Sequence, residues 1–120
     1  MTTQEVANRF MELSKEGKFD VIQAELYSDD CESIEPEHAM AAGLGHAKGM
    51  EAIKEKSKRF NESVEEMHGG YTGEPVVAGN YFSLAMGMDA TMKGAGRMKM
   101  DEIAVYEVKD GKITKEQFFF

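Results

Sequence analysis

"YFSLAMGMDATMKGAGRMKMDEIAVYEVKDGKITKEQFFF" (residues 81–120) is the stretch whose reading decides the fold. Its first part alternates with a period of two. Phe82, Leu84, Met86, Met88, Ala90 and Met92 fall on one face, and Ser83, Gly87, Asp89 and Thr91 on the other. "KGAG" (93–96) and "KDG" (109–111) interrupt the pattern where hairpins turn. The tract therefore predicts long antiparallel strands joined by tight turns, in a strand run that opens near His68.

Upstream the period is helical. Val6, Phe10 and Leu13 share one face of a helix that Thr2 and Glu5 open as a capping box and Gly17 stops. "FDVIQAEL" (19–26) offers Phe19, Ile22 and Leu26 to a core. A strand over 31–35 ends at Pro36, and the small-residue tract 37–49 reads as a mobile loop. Met50, Ile53, Phe60 and Val64 then recur at helical spacing, while Glu51, Glu55 and Arg59 mark the wetter side. Helices segregated from a run of antiparallel strands indicate an α+β fold.

The 120 residues make one domain, 1–120, without repeat or linker. A net charge of −8 repels phosphate, so neither nucleic acid nor an anionic membrane is an expected partner. No apolar run approaches the roughly 20 residues of a membrane span, and the first ten residues lack the pattern of a signal peptide. With a single cysteine, Cys31, a reducing, cytoplasmic setting is expected. In a strand, Cys31 reads as a small buried apolar residue rather than a nucleophile. "GLGHAKG" (43–49) lacks the spacing of a phosphate loop, and His38, His46 and His68 lack that of a helical metal site; neither metal nor cofactor is expected.

Two carboxylates stand out. Glu35 precedes Pro36, which holds it extended at the end of its strand. Glu102 alternates in phase with Met98, Met100, Ala104 and Tyr106, so it is either a rim group or an acid with a raised pKa. Ile103 and Val105 are apolar as well, so the opposite parity is also open, and a bulge would change the assignment.

"LYSDDCESIEP" (26–36), "GMEAIKEK" (49–56) and the closing "AVYEVKDGKITKEQFFF" (104–120) together resemble the nuclear transport factor two-like superfamily, within it the SnoaL-like branch. The resemblance spans nearly the whole chain. It implies a cone-shaped α+β barrel in which a curved antiparallel sheet wraps around N-terminal helices. A deep apolar pocket and a homodimer through the sheet's outer face are implied with it. Apolar residues on both faces around Ile103–Val105 agree with such a dimer. Ketosteroid isomerase belongs to this superfamily, and "SIEP" resembles the segment that carries its general base, so Glu35 falls on the base. The match stops there. Phe10 stands where that enzyme has its oxyanion-hole tyrosine, and Ala104 near its protonated aspartate, so neither donor is present and steroid isomerisation by that scheme is not implied.

The resemblance instead gathers Glu35, His68 and Glu102 around one cavity as candidate catalytic residues, with Phe10, Met86, Met88, Met100, Ala104 and Tyr106 on its wall. His68 beside a carboxylate makes a competent acid/base pair; equally, it satisfies a strand end. Tyr27, Tyr71, Tyr81 and Tyr106 offer hydroxyls, Tyr106 being best placed by parity. The expected function is binding of a small apolar ligand, with cofactor-independent isomerase, cyclase or lyase chemistry on a carbonyl compound as the enzymatic reading. The alternatives are a non-catalytic carrier and a dimeric interaction module.

Overall fold

The chain opens with the capping box its sequence predicts. Thr2 Oγ1 accepts the Glu5 N–H at 3.1 Å, and the Glu5 carboxylate accepts the Thr2 N–H at 2.9 Å. These bonds satisfy donors that the first turn of α1 (Thr3–Lys15) leaves without partners. The computed structural model describes residues 1–40 and 45–120. Residues 41–44, part of the expected mobile loop, lie outside the described residues.

Gly17, at φ 72°, ends α1 and lets the chain turn into α2 (Phe19–Leu26). Ile22 and Leu26 enter the core as expected, but Phe19, at the helix start, is 52% exposed. β1 (Tyr27–Ile34) follows without a loop, so the strand begins at Tyr27 rather than Cys31. The small-residue tract contains a helical turn, α3 (Glu37–Met40), and a short strand, β2 (Ala47–Lys48). After α4 (Met50–Ser63), β3 (Val64–Thr72) starts at Val64, before the expected position at His68. β4 (Val76–Ala78), which the sequence did not announce, precedes β5 (Tyr81–Met92), β6 (Gly96–Lys109) and β7 (Lys112–Phe119).

The sheet is curved and open, with strand order β2-β1-β7-β6-β5-β3 and β4 attached to β5. It is mixed, not purely antiparallel as expected, because β1 and β7 run parallel. Parallel neighbours need a long crossover, and nearly the whole chain between them supplies it. That pairing sets Ser33 beside Glu116, and β6 and β5 continue the row with Tyr106 and Phe82.

This row lies on the inner face, against α1. Phe10 meets Phe82 and Tyr106 with ring centroids 5.7 and 4.9 Å apart, and Phe82 stacks on Tyr106 at 4.8 Å. All three are buried, each burial being worth about 1.5–3 kcal/mol. α1 and this aromatic trio thus fix the helix side of the sheet and, with it, the phase of every neighbouring row.

The β6–β7 hairpin pairs Val108 with Ile113, and a register shift within it then aligns Glu116 with Tyr106. Its two loop residues, Asp110 and Gly111, have φ of 52° and 75°, the pattern of a type I′ turn. A Cβ on Gly111 would also lie 2.7 Å from the Met1 nitrogen. Gly111→Ala is expected to lower stability in urea denaturation by about 1–2 kcal/mol, whereas Asp110→Gly should cost little.

Candidate functional site

The inner face beyond the aromatic trio carries a chain of buried polar groups. β1 alternates so that Cys31 and Ser33 are buried and Glu35 follows in phase just past the strand end. α4 presents Lys56 on the same stripe as Ile53, one turn on. Lys56 Nζ donates to Glu35 at 2.9 Å and to Ser33 Oγ at 2.5 Å. Ser33 donates in turn to Glu116 Oε2 at 2.6 Å, and the Tyr27 hydroxyl donates to Glu116 Oε1. The Glu35 and Lys56 side chains are only 8% and 10% exposed. Lys56 also stands 5.8 Å above the centroid of the Phe118 ring.

Glu102 completes the cluster from β6. It pairs with Met86 across β5, on the face that carries Ala104 and Tyr106, which settles its parity in favour of the methionine side. Ile103 points outward and is 53% exposed. Burial raises the Glu102 carboxyl to about 7, the charges of Glu35 and Glu116 push the same way, and Lys56 opposes them. Burial likewise raises Glu116 above the usual carboxylate range, against the lowering effect of its bonds from Ser33 and Tyr27 and of Lys56. Tyr27 and Tyr106, fully desolvated, are held well above the ordinary phenol value. The Cys31 thiol is pushed up to about 12, chiefly by burial, and so stays protonated, as a packing residue should.

The structure brings Glu35 and Glu102 together, but not His68. A register shift between Met67 and Gly69 leaves His68 at a bulge in β3. Its Nε2 lies 2.7 Å from Thr91 Oγ1 and 3.9 Å from Glu66. Glu66 pairs with Thr91, and Thr91 with Arg97, on the face that alternates away from Met88 and Ala90. His68 therefore sits on the opposite side of the sheet from the carboxylates, because the bulge re-aims it. Of the expected wall residues, Phe10, Ala104 and Tyr106 are buried in the core beneath the site, while Met86, Met88 and Met100 are half-buried on the inner face. Two surface hollows, one between α2 and α4 beside Gln23 and Ser57 and one where Met1 meets Asp110, share no residue with the cluster.

Lys56, Ser33 and Glu116 are the residues that sequence reasoning passed over. Lys56 carried a signal: it interrupts the apolar stripe between Ile53 and Phe60, where a lysine needs a buried partner. Glu116 carried none. Alternation from buried Ile113 puts it on the wrong face, and the shift between Glu107 and Val108 turns it inward. Among the described residues no group of His, Cys, Asp and Glu is set to hold a metal ion, and no helix is long and apolar enough to cross a membrane.

The family description of a SnoaL-like domain matches residues 1–120. The chain belongs to the SnoaL-like family. Among solved structures it is similar over the full length of both chains to a candidate SnoaL-like polyketide cyclase from Mesorhizobium loti, at 37% identity and a TM-score of 0.88. TerC, co-crystallised with polyporic acid, is 20% identical, with 98% of this chain and 90% of that one covered and a TM-score of 0.77. A hypothetical protein with a ketosteroid isomerase-like fold from Catenulispora acidiphila, in complex with trimethylamine, is 18% identical, with 79% of this chain and 69% of that one covered and a TM-score of 0.65. These two more distant likenesses show the shared fold. No curated protein matches this SnoaL-like chain.

The Glu102 environment has a measurable consequence. Between the ordinary value of 4.5 and the folded value of about 7, the native carboxyl keeps a proton that the unfolded chain has lost. Its contribution to stability is therefore favourable below that window and is lost as pH rises through it. Glu102→Gln should flatten this part of the stability-against-pH curve, leaving a remainder that belongs to Glu116. At pH 7.5 the variant should be neutral or more stable in urea denaturation; clear destabilisation there would mean that Glu102 is an ionised partner.

Proposed function

We propose that this SnoaL-like protein is a cofactor-independent isomerase, cyclase or lyase that moves a proton next to the carbonyl of a small apolar compound. The observation that carries this reading is a protonatable carboxyl, Glu102, beside a buried ion pair, Glu35–Lys56, with groups still available on each. Lys56 has three N–H donors and gives two of them to Ser33 and Glu35. Glu35 Oε1 accepts from Lys56, while Oε2 has no hydrogen-bond partner among the described residues. Neither oxygen of Glu102 has one there either.

In this reading Glu35 is the base that removes the proton. The third Lys56 N–H and the Glu102 carboxyl donate to the oxygen on which negative charge develops. They take the role that Phe10 and Ala104, apolar here, do not fill. Donors of this kind are worth about 2.7–4 kcal/mol each in a water-excluded site. The half-buried Met86, Met88 and Met100 offer an adaptable apolar surface for the rest of the ligand. The neighbour named as a candidate polyketide cyclase, similar over its whole length, supports a carbonyl substrate. The methionine surface also suits a second reading, in which the protein holds an apolar ligand without converting it.

The outer sheet face supports a homodimer as part of the proposal. Ala85, Ile103 and Phe119 form one register row, and Val76 and Val105 contribute to the next. Ile103, Phe119 and Val76 are 53%, 49% and 69% exposed in the isolated chain. A second copy packed sheet to sheet would bury on the order of 1,200–2,000 Å². Sedimentation at tens of micromolar should give a dimer, and Ile103→Lys with Phe119→Lys a monomer; a wild-type monomer would refute the assembly.

The chemistry is tested with a panel of small enolisable ketones in deuterated water, following loss of the α-proton signal by NMR. Wild type should accelerate exchange of at least one ketone. Glu35→Gln should abolish that exchange while ketone binding persists, and Glu35→Asp should retain part of it. Lys56→Met should lower the rate by about 10²–10³-fold. Both Glu35→Gln and Lys56→Met break a buried pair, which costs up to about 3–5 kcal/mol, so each is assayed well below its melting temperature. Binding without exchange in wild type would leave the carrier reading.

A further inference from the structure

Glu35, Lys56 and Glu102 leave one buried carboxylate of the cluster, Glu116, without a part in the proposed chemistry. Glu116 is 5% exposed, lies behind Ser33 as seen from Lys56, and faces no open surface. A buried carboxylate without a role is costly to keep, since an apolar side chain of similar volume would commonly be neutral or stabilising. Every hydrogen bond around it has one sense. Tyr27 and Ser33 both donate to it, and the Ser33 oxygen, its own proton so committed, is left to accept from Lys56.

We propose that Glu116 is a positioning residue for Lys56: by fixing the Ser33 hydroxyl as an acceptor, it seats the ammonium against Ser33 and Glu35 and leaves the third N–H free on the side of Glu102. The proposal rests on the functional reading above for what that N–H does, but not for how it is held. Without Glu116, the Ser33 hydroxyl turns freely and no longer presents a fixed lone pair. Lys56 then has Glu35 as its remaining anchor and follows the carboxylate, at the end of a flexible four-carbon stem. The ring of Phe118 limits this movement on one side.

The charged and titratable groups facing Glu102 are Glu35, Glu116, Lys56 and Tyr106; those facing Glu116 include Lys56, Glu35, Tyr27, Tyr106 and Cys31. Removal of the Glu116 charge should therefore also reach Glu102, although the two side chains share no hydrogen bond.

The test uses the ligand-free full chain and two NMR readouts, hydrogen exchange of the Lys56 ammonium and the ¹³C titration of the Glu102 carboxyl. Glu116→Gln should speed ammonium exchange at least tenfold and shift the Glu102 midpoint downward, because a neighbouring negative charge is gone. Ser33→Ala should speed exchange equally, and Ser33→Thr, which keeps the hydroxyl, should restore it. A purely structural role for Glu116 predicts a lower melting temperature with ammonium exchange unmoved, and that result would overturn the proposal; the Glu102 midpoint reports the lost charge alone. If Glu116→Gln does not fold, the Ser33 pair decides: equal exchange in Ser33→Ala and wild type overturns it. Neither readout involves turnover. A protein that exchanges no ketone but shows these shifts loses the enzymatic reading and keeps the positioning role, and the converse pattern separates them the other way.

Discussion

Lys56 is the cation on which the inner face depends: among the described residues it stands in contact with Glu35 and within the field of Glu102 and Glu116. Three carboxylates around one ammonium cannot all ionise at neutral pH in a desolvated place. One is paired directly, one is held through a serine, and one retains a proton to about pH 7. This division is set by geometry. Ser33 on β1 and Glu35 just past its end lie two residues apart, both in phase with the core, so a single side chain from α4 reaches both. Glu116 arrives from β7, and Glu102 lies farther along β6.

Such a cluster is a poor way to stabilise a small domain. Ion pairs removed from water rarely recover their full desolvation cost, and a raised carboxyl makes the protein less stable at neutral pH. The aromatic trio of Phe10, Phe82 and Tyr106 and the apolar faces of α1 and α2 carry that load instead. Polar groups retained against the interest of stability are commonly functional, and here Glu102 pairs across the sheet with the half-buried Met86. The departures from the ketosteroid isomerase pattern fit the same logic. Phe10 and Ala104 provide packing, and in the proposed reaction the donors are Lys56 and Glu102, which come from α4 and β6.

The sequence by itself determined much of this protein. Periodicity marked α1, α2 and α4 and the three long C-terminal strands, because apolar residues recur at the spacing of the element that buries them. The capping box at Thr2 and the turn at Asp110–Gly111 were legible because each needs specific residue types at fixed offsets. Glu35 and Glu102 also stood out as inward-facing carboxylates, one by its proline together with the family resemblance and the other by its methionine neighbours. Tertiary structure alone decided what surrounds them. Local alternation says nothing about which distant strand becomes a neighbour, so the parallel pairing of β1 with β7, and hence the Ser33–Glu116 bond, had no local signature. Bulges decided the rest: one slipped residue in β3 sends His68 to the far face, and another at Glu107–Val108 turns Glu116 inward. With a side-chain period of two, a single inserted residue reverses the face of everything beyond it, and no reading of the residues alone locates that insertion.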